Sequence, residues 1–116
     1  MVKQAKPENP VKLTKHPDKN PSHAELEKWL RAESMSPFVA TMGPGDYAPA
    51  HAHDYDEARV IVSGKIEFEI AGKKYVLGAG ERMDLAAGTE HDARTVGSEN
   101  VVMLCASKPA KESRNK

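Results

Sequence analysis

At 116 residues, with 29% charged and 39% apolar residues and a formal charge of zero, the chain has the size and composition of a single globular domain. No run approaches the roughly 20 apolar residues that cross a bilayer, and the opening MVKQAKPENPVKLTK lacks the apolar core of a secretory signal. One cysteine, Cys105, cannot form an internal disulfide, so a reducing, cytoplasmic location is the expectation.

The zero charge conceals an uneven distribution. Residues 1–20 and 108–116 together hold nine Lys or Arg against three Asp or Glu, a net +6, and residues 21–107 hold eight against fourteen, a net −6. Basic ends can touch nucleic acid or anionic lipid. Here the lysines are interspersed with prolines and no aromatic side chain is present to stack on a base, so neither partner is expected. Pro7, Pro10, Pro17 and five lysines leave residues 1–20 too little apolar surface to offset ordering entropy, which predicts a flexible basic arm. Residues 108–116 read as a flexible basic tail, and 21–107 as the folded domain.

Ser22-His-Ala-Glu25 fits a capping box, and Leu26, Trp29 and Leu30 follow at helical spacing, so a short helix is predicted, ended by Pro37 at the latest. Its apolar stripe can serve its own domain or a neighbour's. From Phe38 the texture changes to short Val-, Ile- and Phe-rich runs between turn residues. FVATM (38–42) is one, and ARVIV (58–62), Ser63-Gly64 and KIEFEI (65–70) read as a hairpin. Ile66, Phe68 and Ile70 alternate with Lys65, Glu67 and Glu69, giving that strand one dry face and one wet face. KYVL (74–77), RMDL (82–85), HDARTV (91–96) and NVVMLCA (100–106) complete a set that predicts an all-β sandwich or barrel.

His51-Ala-His53 carries the chemistry. On one strand, residues i and i+2 share a face, so the two imidazoles can converge on one ion, and Glu57 lies a further even step away. Imidazole with carboxylate suits Zn, Fe, Mn, Ni or Cu. An acidic surface loop that happens to hold two histidines would read the same way. His91, opening a later strand, adds weight only if the fold brings it beside the others. By the same alternation Arg59 faces inward with Glu57. There a guanidinium can hold a ligand carboxylate, unless a bulge turns it out toward Glu67 or Glu69. Tyr47 and Tyr55 flank the segment as possible rim residues or as plain surface. Met83, Leu85 and Cys105 read as core, Trp29 as packing, and His16 and His23 as exposed. There is no Ser-His-Asp order, Gly-rich phosphate loop or Cys-x-x-Cys pair.

Residues 45–64, GDYAPAHAHDYDEARVIVSG, resemble the first motif of the cupins: Gly45, His51, His53, Glu57 and Gly64 stand at that motif's spacing. Residues 80–95, GERMDLAAGTEHDART, are similar to the second motif at Gly80, Gly88 and His91, with Ala86 in place of the usual proline and Thr95 in place of the usual asparagine. The resemblance covers about residues 38–106. It implies a cupin-type double-stranded β-helix, a jelly-roll barrel with a short N-terminal helix. It also implies that His51, His53, Glu57 and His91 hold one divalent transition metal. Among cupins with that ligand set are dioxygenases, decarboxylases and isomerases, so the resemblance implies a metal-dependent enzyme acting on a small carboxylate or enol. A non-catalytic small-molecule-binding or sensor cupin is the alternative. Small barrels of this kind are often homodimers, which sets that expectation here.

Overall fold

The computed structural model describes residues 10–109. Nine strands and one helix follow one another as β1 (Val11–Lys15), α1 (His23–Arg31), β2 (Phe38–Met42), β3 (Tyr47–His51), β4 (Glu57–Ser63), β5 (Lys65–Ile70), β6 (Lys73–Leu77), β7 (Glu81–Leu85), β8 (His91–Val96) and β9 (Val101–Ser107). They form two antiparallel sheets, one ordered β1-β7-β4-β9-β2 and one ordered β3-β8-β5-β6. The chain repeatedly leaves one sheet for the other, which is the jelly-roll arrangement the motifs imply.

The core between the sheets is filled by Ile61, Ile66, Phe68, Leu77, Met83 and Met103, each at most 2% exposed. On β5 the alternation reads as predicted, with Ile66, Phe68 and Ile70 inside. The expected hairpin between β4 and β5 does not form, however. β4 pairs with β7 and β9, and β5 pairs with β6 and β8. Ser63-Gly64 is instead a corner at which the chain changes sheets. Gly64 adopts φ 83°, and a Cβ there would collide with the carbonyl oxygen of Asn100, so the corner requires glycine.

Helix α1 starts as the sequence predicts. The Ser22 side chain accepts from the Glu25 amide, and the Glu25 side chain accepts from the Ser22 amide. Leu26 and Leu30 are fully buried against Ala58, Val60, Leu104 and Ala106 on the outer face of the larger sheet. The two alanines leave room for the helix to approach. The apolar stripe therefore covers its own barrel. Each buried leucine contributes about 1.5–3 kcal/mol of transfer free energy.

β7 is dry on both sides: Trp29 of α1 and Glu33 beyond it close over Arg82, and Arg82 and Lys108 close over Asp84. Met83 and Leu85 point into the core as expected, but Arg82 and Asp84 are also buried, at 5% and 8% exposure. Arg82 donates to both oxygens of Asp84 (2.8 and 2.9 Å) and to both of Glu33 (2.8 and 3.0 Å), and it lies over the Trp29 ring at 5.0 Å. Lys108 Nζ reaches Asp84 at 2.7 Å. His16, expected in solvent, is partly buried with its ring edge-on to Trp29 at 4.9 Å.

The arm expected over residues 1–20 is corrected in its second half. Val11–Lys15 form an edge strand on β7, with Leu13 opposite Met83. The ladder supplies the backbone hydrogen bonds that the apolar count of this segment did not foretell. Residues 1–9 lie outside the described residues, as do 110–116 of the expected tail. Lys108, the first residue of that tail, is held by its ion pair and by its amide, which donates to the Asp56 carbonyl at 2.9 Å.

Candidate metal centre

The three histidines reach one point by a different route from the one the sequence suggests. They do not share a strand. His51 ends β3 in the smaller sheet, His53 lies in the connecting loop, and Glu57 opens β4 in the larger sheet. On β3, Ala48 is opposite Ala93 and faces the core, so simple alternation would turn His51 outward. A bulge intervenes: three steps on β3, from Ala48 to His51, match two steps on β8, from Ala93 to His91. The extra residue brings His51 round to lie directly across from His91.

Ring centroids are 4.5 Å apart for His51 and His91, 4.8 Å for His51 and His53, and 5.4 Å for His53 and His91. One ring nitrogen from each lies within 4.8 Å of the others. Small side-chain rotations bring such a spread to the roughly 3–4 Å between nitrogens sharing one ion with bonds of about 2.1 Å. The Nδ1 atoms of His51 and His91 face the carbonyls of Pro49 (2.8 Å) and Thr89 (3.0 Å). Donation there places the proton on Nδ1 and leaves the Nε2 lone pair for a ligand.

The Nε2 atoms of His53 and His91 are buried and have no hydrogen-bond partner. A buried polar atom without a partner is costly, and an electrophile is what a neutral imidazole nitrogen lacks there. Burial also pushes the His91 pKa down, toward the neutral form that ligates. The donor set thus fits a divalent transition metal.

Glu57 stands beside the nitrogen cluster, 4% exposed, with Oε1 3.4 Å from His53 Nε2 and Oε2 4.0 Å from His91 Nε2. Arg59 faces inward, as alternation predicts, and does not pair with Glu67 or Glu69. Its Nε donates to Glu57 Oε2 at 2.9 Å, its guanidinium lies 5.7 Å from the Phe68 ring centroid, and Nη1 approaches Met103 Sδ at 3.9 Å. The buried carboxylate is therefore charge-compensated. Glu67 is across the smaller sheet beside Arg94.

Of the flanking tyrosines, Tyr55 stacks on His53 at 4.9 Å, whereas Tyr47 donates to Asp92 and pairs with Arg94 on β8, away from the histidines. Cys105 is buried, and burial pushes its thiol pKa up, which suits a core residue and not a nucleophile. Ala86, where the second motif usually has proline, donates its amide to the Pro10 carbonyl at 2.9 Å. Proline has no amide to give, so this departure lengthens the attachment of β1 and leaves the ligands untouched. Asp56 gave no sequence signal beyond its place in a polar turn, yet its carboxylate accepts from the Ala87 amide at 2.8 Å.

Residues 38–107 match the family model described as Cupin domain. Gentisate 1,2-dioxygenase from Ralstonia sp is 30% identical over 86 residues, 73% of this chain and 24% of that protein. Quercetin 2,3-dioxygenase from Bacillus subtilis (strain 168) is 38% identical over 53 residues, 45% of this chain and 16% of that protein. The chain thus spans less than a quarter of either relative. The crystal structure of DMSP lyase DddQ from Ruegeria pomeroyi DSS-3 superposes with a TM-score of 0.60 at 28% identity, over 70% of this chain and 41% of that one. With both motifs, the two-sheet barrel and the family match in agreement, this chain belongs to the cupin family.

Proposed function

We propose that this cupin binds one divalent transition metal through His51, His53 and His91, with Glu57 as the fourth donor. On this reading it acts as a metal-dependent enzyme, of dioxygenase type, on a small carboxylate or enol. The observation that carries the metal reading is the pair of buried, partnerless Nε2 atoms on His53 and His91, aimed into the same space as His51. The similarity to two dioxygenases supports the reaction class. Bound here, such a metal would supply Lewis acidity and a position for a chelating substrate oxygen.

The protein's own groups do the rest. The Nδ1 contacts of His51 and His91 hold the rings in the ligating tautomer. Arg59 commits Nε to Glu57 and presents the rest of its guanidinium to the apolar interior near Phe68 and Met103, where a substrate carboxylate can take it. Apolar neighbours such as Phe68 and Met103 would strengthen that charge pair. Glu57 Oε1, the oxygen not held by Arg59, is the one left to serve as the fourth donor.

One observation favours a binding or sensor role instead. Of the other nearby carboxylates in sequence, Asp54 and Glu90 are exposed and Asp56 is taken up by the Ala87 amide, which leaves Glu57 as the one buried carboxylate among them.

The test is elemental analysis of protein purified without added metal or affinity tag, beside His51→Ala and His91→Ala. About one equivalent of transition metal is expected in the wild type and none in either variant. No uptake by the wild type on titration with Zn, Mn, Fe, Ni or Cu would sink the metal reading. For the enzyme reading, Arg59→Ala should raise KM for a turned-over carboxylate roughly 10- to 100-fold, the worth of one charge-assisted contact. Inertness of the loaded protein toward dioxygen and chelating carboxylates would leave the binding role.

A further inference from the structure

The loop that carries His53 and the loop that leads into His91 belong to connections far apart in sequence, and two hydrogen bonds stitch them together. The Gly88 amide donates to the His53 carbonyl at 2.7 Å, and the Ala87 amide donates to Asp56 Oδ1 at 2.8 Å. Asp56 is also tied from behind, where its carbonyl accepts the Lys108 amide at 2.9 Å. One residue thus joins three segments: the β3–β4 loop, the β7–β8 loop and the end of β9. It stands next to Glu57 and three residues after His53. Asp54, two positions earlier, is exposed and makes no such side-chain bond among the described residues.

We propose that Asp56 is the positioning residue of the three-histidine cluster. Its carboxylate sets the separation of the two loops, and with it the approach of His53 to His91. Ligand nitrogens spread over as much as 4.8 Å must close together around one ion. A loop free to drift away raises the cost of that closure. The proposal rests on the metal reading above for its functional consequence and on the hydrogen bonds for its structural one, and its test separates the two. Asparagine keeps an acceptor oxygen at the same place, whereas alanine does not.

The experiment compares wild type, Asp56→Ala, Asp56→Asn and Asp54→Ala. In metal-free protein, amide hydrogen exchange is followed at Ala87 and Gly88, together with the imidazole resonances of His53 and His91. Affinity is then measured with Zn(II), and the site is reported by the absorption spectrum of the Co(II)-loaded form. Asp56→Ala should speed exchange at both amides, shift both imidazoles, weaken Zn(II) binding about tenfold and alter the Co(II) spectrum. Asp56→Asn should restore most of each, and Asp54→Ala should behave as wild type. Unchanged exchange and resonances in Asp56→Ala would overturn the proposal, as would an asparagine variant as impaired as the alanine. A wild type that binds no metal would sink the metal reading alone, and the proposal would then be decided by the exchange and resonance measurements.

Discussion

His51 and His91 each turn Nδ1 to a carbonyl two residues upstream, and His53 stacks under Tyr55. The imidazoles are thus oriented by local backbone and one aromatic ring before any ion is considered. Glycine decides the geometry at a second kind of position. At Gly64 the positive φ and the approach of Asn100 leave no space for a side chain. Gly64→Ala is expected to cost about 2–3 kcal/mol, the sum of a left-handed alanine and a displaced neighbour. Urea denaturation measures it. Gly72 also has a positive φ, but no atom lies within 4 Å of where its Cβ would be, so the same change there should cost less. Equal costs at the two positions would mean that the corner is not tightly packed.

At the scale of the element, α1 is held to the barrel by two kinds of contact. Leu26 and Leu30 supply apolar burial, and Arg82 clamps Glu33, beyond the helix C-terminus, to Asp84 on β7. Burial by itself raises the Asp84 carboxyl, but hydrogen bonds from Arg82 and Lys108 outweigh it and hold the group below the usual aspartate range. The hydrogen bond from Arg82 lowers Glu33 as well. Both folded values therefore lie below the unfolded ones. The resulting stability is complete above about pH 5, where both groups are ionised in the unfolded chain too, and is lost as pH falls through the folded values. Arg82→Ala is expected to destabilise by about 3 kcal/mol, because it leaves buried Asp84 with Lys108 alone. Its stability should also fall less steeply with acid than that of the wild type. An acid limb of equal slope in the two proteins would show that the clamp carries no pH dependence.

At the scale of the molecule, the larger sheet has two edges, and β2 at one of them exposes Phe38 (62%) and Val39 (53%). With the helix stripe turned to its own barrel, this edge offers two adjacent exposed apolar side chains, among the described residues, to a second copy. The homodimer expected for small cupins is proposed to use it. Sedimentation velocity should show a dimer for the wild type and a monomer for Phe38→Lys with Val39→Lys, and a wild-type monomer would refute this. Among the described residues no helix is long and apolar enough to cross a membrane.

Much of the fold was legible because its signals are local. The capping box and the Leu26-Trp29-Leu30 spacing gave α1, the alternation of β5 gave its dry face, and motif spacing pointed to the histidines. What resisted reading depended on partners distant in sequence. Val11–Lys15 is a strand because β7 offers a ladder, and Arg82 and Asp84 are buried because Trp29, Glu33 and Lys108, all distant in sequence, gather around them. Ser63-Gly64 is a corner because β4 and β5 find partners in different sheets. The sequence by itself determined the residue types of the site, the spacing of both motifs and the all-β class, since these follow from side-chain chemistry and short-range periodicity. Only the tertiary structure decided that His51 faces His91, through a bulge that reverses its strand parity, and that Asp56 joins their loops. Bulges and loop-to-loop hydrogen bonds are set by which strands pair, and pairing is a property of the whole chain.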